Sequence, residues 1–426
     1  MFSAVICASR FLHIQFTHGK NLAFPYVKLR AGADLGQSNH GITHSLPQVG
    51  QDASCKVAIT DLSSLDRTTL GEWDTLSRES EYPNPYFSPW FLRPALKWLD
   101  PEKAVHLMLF RDEQTDTLHG VIPVVAGSTY ARLPLRHLAV WKNNHLYNGT
   151  PLIRMGYARQ TMNALVDWIG TCPMGIRFLR FTQLAADGPI YHALTAACSD
   201  RRRDMFFQSR LSRPVLRAGH DFDTLLSASQ TAKQRAELRR RIKRFGETGA
   251  VTLEEKPLTP QTAPALCDAF IQMENAGWKK DGEDGFALGK SDAEQQFFKE
   301  VMRNAAERGQ AIATVLSRDS EPVAISLSLR DQDMQFGFKT AFDRDHAKAS
   351  PGIQLFHETT RRATAAKDIS LYDSCAVPGH SVLDKFWPDR LDYVQVNIPA
   401  RGKKNTHLVR FAAHAEALKG HWATKK

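Results

Sequence analysis

Between Phe342 and Gly352 the chain passes from an apolar strand pattern into DRDHAKASPG, a stretch with the parts of an anion site. Ser350 suits a helix N-cap, and Pro351 suits the first helical turn, where its missing N–H costs nothing. Gly352 lets a ligand come close to the backbone. The open N–H groups and dipole of the helix then face the loop, with the charge of Lys348 beside them. An ordinary strand–loop–helix connection has the same local features. Lys339, on the strand before the loop, is a second cation that could meet a phosphate or carboxylate.

A hundred residues earlier, TAKQRAELRRRIKRFGETG carries seven basic residues and one acid, Glu237, between Lys233 and Arg244. Leu238, Ile242 and Phe245 fall at i, i+4 and i+7, so a helix is expected with a narrow apolar stripe. Gly246 stands where a helix C-cap falls. The whole chain of 426 residues has a net charge of +10, so most of its excess is concentrated here. A focused anion site is a better reading than a general nucleic-acid coat. No aromatic stacking ladder accompanies the charge, and a phosphorylated cofactor or substrate, or an acidic carrier protein, is a better partner than a duplex.

Elements that position these residues can be read in order. Strand patterns at 213–218 and 250–256 flank the basic helix. Helices over about 262–278 and 291–308 precede strands at 310–317, 322–330 and 334–342. The helix opened by Ser350-Pro351-Gly352 runs to Lys367, then come strands at 369–376 and 392–398 and a last helix over 405–418. The first half shows a helix at 88–99, strands near 136–141, 150–154 and 177–183, and a helix at 157–170. AVHLMLFRDEQTDTLHGVIPVVAG (104–127) and QAIATVLSRDSEPVAISLSLRD (310–331) read as one β-hairpin occurring twice, with Arg111 and Arg318 at the same point. The pattern predicts an α/β (α+β) mixed sheet with flanking helices, in two similar domains, 53–212 and 213–426.

Composition is that of a globular protein, with 42% hydrophobic and 23% charged residues. The six cysteines form no CxxC pair and no zinc-spaced cluster with histidine, so no metal is expected and a reducing, cytoplasmic setting fits. No apolar run has the length of a membrane span. Residues 1–52 are rich in Gly, His, Ser and Asn and read as a weakly ordered extension.

Five pieces in this order resemble the CelD-like branch of the GCN5-related N-acetyltransferases: NPYFSPWFLRPAL (84–96), LHGVIPVV (118–125), AKQRAELRRRIKRFGETGAVTLE (232–254), KTAFDRDHAKASPG (339–352) and YDSCAVPGHSVLDKFW (372–387). The relatives include the Fem peptidyltransferases, which pair two such domains. The resemblance implies a sheet that splays to admit the pantetheine arm of an acyl thioester such as acetyl-CoA, with Lys348, Ser350, Pro351 and Gly352 at the pyrophosphate and Lys339 nearby. The usual loop, Q/R-x-x-G-x-G/A, is replaced here by Lys348-Ala-Ser-Pro-Gly. The donor therefore stays open between coenzyme A, an acyl carrier protein and aminoacyl-tRNA, and a non-catalytic binding protein stays open beside them. The implied acceptor is an amine, in bacterial polysaccharide or cell-envelope metabolism.

That chemistry needs a group to take a proton from the amine and a means to polarise the thioester carbonyl. Asp373, at the end of a buried strand, is the first general-base candidate, and its neighbour Tyr372 faces the other way. In the Fem relatives a comparable basic helix lies near acceptor phosphates, which makes Arg240 and Arg244 substrate-binding candidates. Lys385 matches a position where the family commonly has Lys. Trp278 packs or shapes the acceptor pocket, and Tyr147, in HLYNGTPLI, could line an acceptor cleft.

Overall fold

The computed structural model describes residues 54–102, 104–171, 173–276, 288 and 291–423. The expected N-terminal extension and Trp278 lie outside them. The first half of the chain forms β1 (Cys55–Asp61), α1 (Arg67–Arg78), α2 (Pro89–Leu99), β2 (Val105–Asp112), β3 (Leu118–Gly127) and β4 (His137–Val140). It continues with β5 (Leu152–Ile153), α3 (Ala158–Gly170), β6 (Phe178–Ala185), α4 (Pro189–Asp200) and β7 (Phe206–Arg217). The second half forms α5 (Phe222–Ser229), α6 (Ala232–Gly246), β8 (Val251–Pro257), α7 (Ala263–Ala276), α8 (Asp292–Glu307), β9 (Ala311–Arg318) and β10 (Glu321–Asp331). Then follow β11 (Met334–Phe342), α9 (Pro351–Ala365), β12 (Leu371–Asp373), α10 (Leu383–Phe386), β13 (Asp389–Pro399) and α11 (Lys403–Ala423).

These elements gather into two compact units, each drawing on separate parts of the chain. The C-terminal unit holds Ser212–Leu391 together with Trp90–Pro101, and so takes α2 from the first half. The N-terminal unit holds 54–89, Glu102–Leu211 and 392–423. Side-chain contacts explain the place of α2. Its Phe91 ring meets Phe297 at 5.5 Å and Phe338 at 5.9 Å. Asn304 Nδ2 donates to Trp90 O at 3.0 Å, and Trp98 Nε1 donates to Glu300 at 2.6 Å. Burying one such phenylalanine is worth about 1.5–3 kcal/mol.

One pairing scheme recurs in both units. In the N-terminal unit the order is β1-β2-β3-β4-β6-β13, and in the C-terminal unit it is β8-β9-β10-β11-β12-β7. The first four strands of each are antiparallel neighbours. The fifth joins in parallel, 137–139 with 178–180 in one unit and 334–336 with 371–373 in the other. The doubled hairpin of the sequence is β2–β3 and β9–β10. A mixed α/β sheet with two domains of one kind, the expected fold class, is thus what the chain forms.

In the C-terminal unit the two sheet faces have distinct covers. Phe338 of β11 packs with Phe298 of α8 and Phe91 of α2, so α7, α8 and α2 lie on one face. Leu355 of α9 shares a cluster with Leu316, Val323, Ala324 and Phe245, with Phe342 of β11 packed against it, so α9 and α6 lie on the other. The segment that leads into α6 is tied to α9 at one point: Gln230 Nε2 stands 2.9 Å from His357 Nε2. Phe222 and Phe386 close on the same imidazole at 5.9 and 5.3 Å.

Burial pushes the His357 pKa down to about 4 from 6.5. A depressed folded-state value means that protonation favours the unfolded chain, so the contribution is complete above pH 6.5 and is lost as pH falls toward 4. Urea unfolding at pH 7 and pH 4.5 should therefore differ by about 2–3 kcal/mol from this residue. In His357→Gln that part of the slope should vanish.

Candidate active site

Strands β11 and β12 part company soon after they meet. They pair over Met334, Gln335 and Phe336 only, while β11 runs on to Phe342. Beyond Asp373 the chain turns away: Asp373 Oδ1 accepts the Cys375 N–H at 2.9 Å, and Cys375 has φ 52°. At the apex the backbones are in near contact, for a Cβ on Gly337 would lie 2.7 Å from Ser374 O. Only glycine fits there. Beyond that point no described strand pairs with β11 on the β12 side. A bulge sits at the same level: Leu327 opposes Lys339 and Ser328 opposes Gly337, which leaves Phe338 as the extra residue.

The far end of the opening leads to the start of α9. A 3-10 turn, Arg344–Ala349, ends on Ser350 in the left-handed region (φ 57°, ψ 51°), and Pro351 begins the helix. The Ser350 side chain does not cap α9; its carbonyl instead accepts from Ile353 N and Gln354 N. Among the described residues, Gly352 N–H has no acceptor. Gly352 has no positive φ, and a Cβ there would meet only Phe342 Cδ1 at 3.7 Å, so the fold itself does not require glycine. What the missing side chain leaves is clear space at a helix N-terminus, where anions bind.

The basic helix is built onto this same end. A capping box between Thr231 and Gln234 starts α6. Phe245 anchors it, buried with Ala349 and Leu355 and 5.5 Å from the His346 ring. One turn before Phe245, Arg241 Nη1 donates to Ser350 Oγ at 3.1 Å. Ile242 was expected in the apolar stripe but is 38% exposed, because α6 touches its neighbours mainly through its last turn.

In the N-terminal unit the matching gap is filled by the chain. The loop between β4 and β5 bonds across it to β6: Gly149 N donates to Gln183 O at 2.8 Å, and Ala185 N donates to Thr150 Oγ1 at 3.0 Å. Buried Asn84 fixes that loop by donating to Thr150 O at 2.6 Å, and Asn148 Oδ1 accepts from Thr150 N at 2.9 Å. A splayed parallel pair with a helix start at its end is therefore found open in one unit and plugged in the other.

Residues 232–380 match the family model described as the acetyltransferase (GNAT) domain. Residues 232–380 are a GNAT acyltransferase domain. The expected superfamily and enzyme class are borne out by that match. No curated protein is similar enough in sequence to match. Among solved structures, a conserved protein of unknown function from Bacteroides thetaiotaomicron is 12% identical over 81% of this chain and 100% of its own, with a TM-score of 0.49. FemX is 9% identical over 81% and 98%, with a TM-score of 0.49. A tandem GNAT protein from the clavulanic acid biosynthesis pathway is 12% identical over 82% and 100%, with a TM-score of 0.39.

The GNAT domain brings Ser350, Pro351 and Gly352 together at the helix start, with Lys348 exposed on the turn before them. Arg240 and Arg244 point outward from α6; Arg240 pairs with Glu237 at 2.7 Å. Arg241, which the sequence reading passed over, is the residue of that run that reaches the loop. Its signal was available, since it lies four residues before Phe245 and so shares the packed face. Lys385 is exposed on α10, and Tyr147 of the other unit meets Tyr86 edge-on at 5.7 Å beside the plugged loop.

Asp373 stands differently from its expected role. It is fully buried and ion-paired with Arg213, whose Nε is 3.1 Å from Oδ1. With the Cys375 N–H on the same carboxylate, Asp373 holds the β12–β7 pairing and the turn that opens the cleft. Its contacts are those of a structural group. Tyr372, expected in the core, packs there with Trp387 at 5.2 Å.

Removing one partner leaves the other as a lone buried charge. Asp373→Ala and Arg213→Ala should each cost about 3–5 kcal/mol in urea unfolding. The pair Arg213→Met with Asp373→Leu should recover most of that loss, which a double-mutant cycle would measure.

Proposed function

We propose that the C-terminal unit binds an acyl-CoA in the gap between β11 and β12 and passes the acyl group to an amine by direct attack. The observation that carries this reading is the parted strand pair that ends at an uncapped helix start clamped by Arg241. The unpaired edge of β11 offers N–H and C=O groups to the amides of a pantetheine arm, as a β-strand would. N–H groups of β11 past Gly337, on the side that β12 has left, would donate to the thioester carbonyl, and such donors stabilise the developing oxyanion. Gly352 N–H, the α9 dipole, Arg241 and Lys348 form a cationic end for the diphosphate. Arg240, Arg244 and Lys385 remain candidates for contacts with a charged acceptor.

The N-terminal unit shares the strand scheme, but its own loop occupies the corresponding gap. That supports a single donor site in the chain, in the second half. The setting is taken as cytoplasmic.

Thermal melting of the full chain should separate the donors. Acetyl-CoA or a longer acyl-CoA at a hundred times its dissociation constant should stabilise the fold by about 2.7 kcal/mol, which raises the melting temperature by a few degrees. Acetyl-pantetheine, lacking the diphosphate, should give a far smaller shift at equal concentration. Gly352→Trp and Arg241→Ala should each lose most of the acyl-CoA shift. A shift with charged tRNA or with an acyl carrier protein, and none with any CoA, would replace the donor.

A further inference from the structure

Lys339 is a lysine that the fold has placed where a lysine is costly. In an unbroken strand it would point opposite to Phe338. The bulge at Phe338 removes that alternation, and two consecutive side chains then share one face. Phe338 packs on Phe91 and Phe298, on the α7 and α8 side. The acids that act on Lys339 are Glu274 of α7 and Glu294 of α8, on the same side. Lys339 thus lies across the sheet from α9 and the anion-binding end, which sets it apart from Lys348 and Arg241.

Lys339 itself is partly buried. Among the described residues no side chain makes a hydrogen bond or an ion pair within 4.0 Å with its ammonium. Glu274 is 2% exposed, and its Oε2 is taken up by the Leu288 N–H at 2.8 Å. Burial pushes the Lys339 ammonium below its usual range, with Glu274 and Glu294 pulling the other way. An amine shifted in that direction gives up its proton more readily than a surface lysine.

We propose that Lys339 is the general base of acyl transfer: placed by the bulge at the level where β11 loses β12, its amine takes the proton from the attacking acceptor. This rests on the acyl-CoA reading of the same cleft. In the step, the acceptor nitrogen forms a bond to the thioester carbon and the carbon–sulfur bond breaks. The proton shed by the nitrogen goes to Lys339 Nζ, and the leaving thiolate takes it from the ammonium so formed. Nothing is oxidised or reduced, and Lys339 returns to its starting state.

Lysine amines reductively methylated with 13C-formaldehyde give separate NMR signals, and Lys339→Arg identifies the one from this residue. In the wild-type full chain that signal should titrate below the bulk lysines and should move when acetyl-CoA is added. Lys339→Met should keep the acetyl-CoA melting shift of the wild type. A Lys339 signal that titrates with the bulk overturns the proposal. So does a signal unmoved by acetyl-CoA while the melting shift is present, since Lys339 is then remote from the acyl group. No melting shift with any acyl-CoA removes the donor reading, and this proposal with it.

Discussion

A strand that loses its neighbour half-way along must find other partners for its backbone. The N–H and C=O groups of β11 past Phe336 that point away from β10 are in that position, and much of the C-terminal unit serves to keep them so. Gly337 allows β12 to approach closely before it leaves. Asp373, held by Arg213, accepts the N–H that turns β12 aside. Leaving polar groups open inside a fold costs about 1–3 kcal/mol each, unless a ligand supplies what the missing strand would have given. The other unit shows what happens without a ligand: a loop carrying Gly149 and Thr150 makes those bonds itself.

Charge is used here by position rather than by amount. Of the basic run on α6, Arg240 and Arg244 face solvent, where ion pairs and counterions weaken their reach. Arg241 is half-buried, bonded to Ser350, and stands beside an open helix start. Its electrostatic effect there is larger because less water screens it. A net charge summed over the chain conceals this difference, although the one-turn spacing from Phe245 does not.

Sequence periodicity located most strands and helices of the second half within two or three residues. It also found the twice-used hairpin and the helix start at Pro351, because apolar alternation, Pro and Gly carry those features locally. β1, α1, α4 and α5 escaped it, being short or weakly patterned. The ownership of α2 also escaped, because Phe91 declares its partners only when Phe297 and Phe338 are beside it. Asp373 has the right side chain for a base, but the arginine that occupies it is 160 residues away in sequence. Lys339 was legible as a cation on a strand. Its face was not, since one bulge residue reverses what alternation assigns.

The exchange of segments between units has a consequence for synthesis. α2 leaves the ribosome long before β9, β10 and β11 exist to receive Phe91. β13 and α11, which complete the other unit, come last. The N-terminal core waits for β13 and α11 from the far end of the sequence, while α2 stands without its partners until the second half is made. Such long-range closure slows folding and prolongs the exposure of apolar surface. Its counterpart is that cutting the chain anywhere between residues 102 and 211 would strip α2 from the catalytic half.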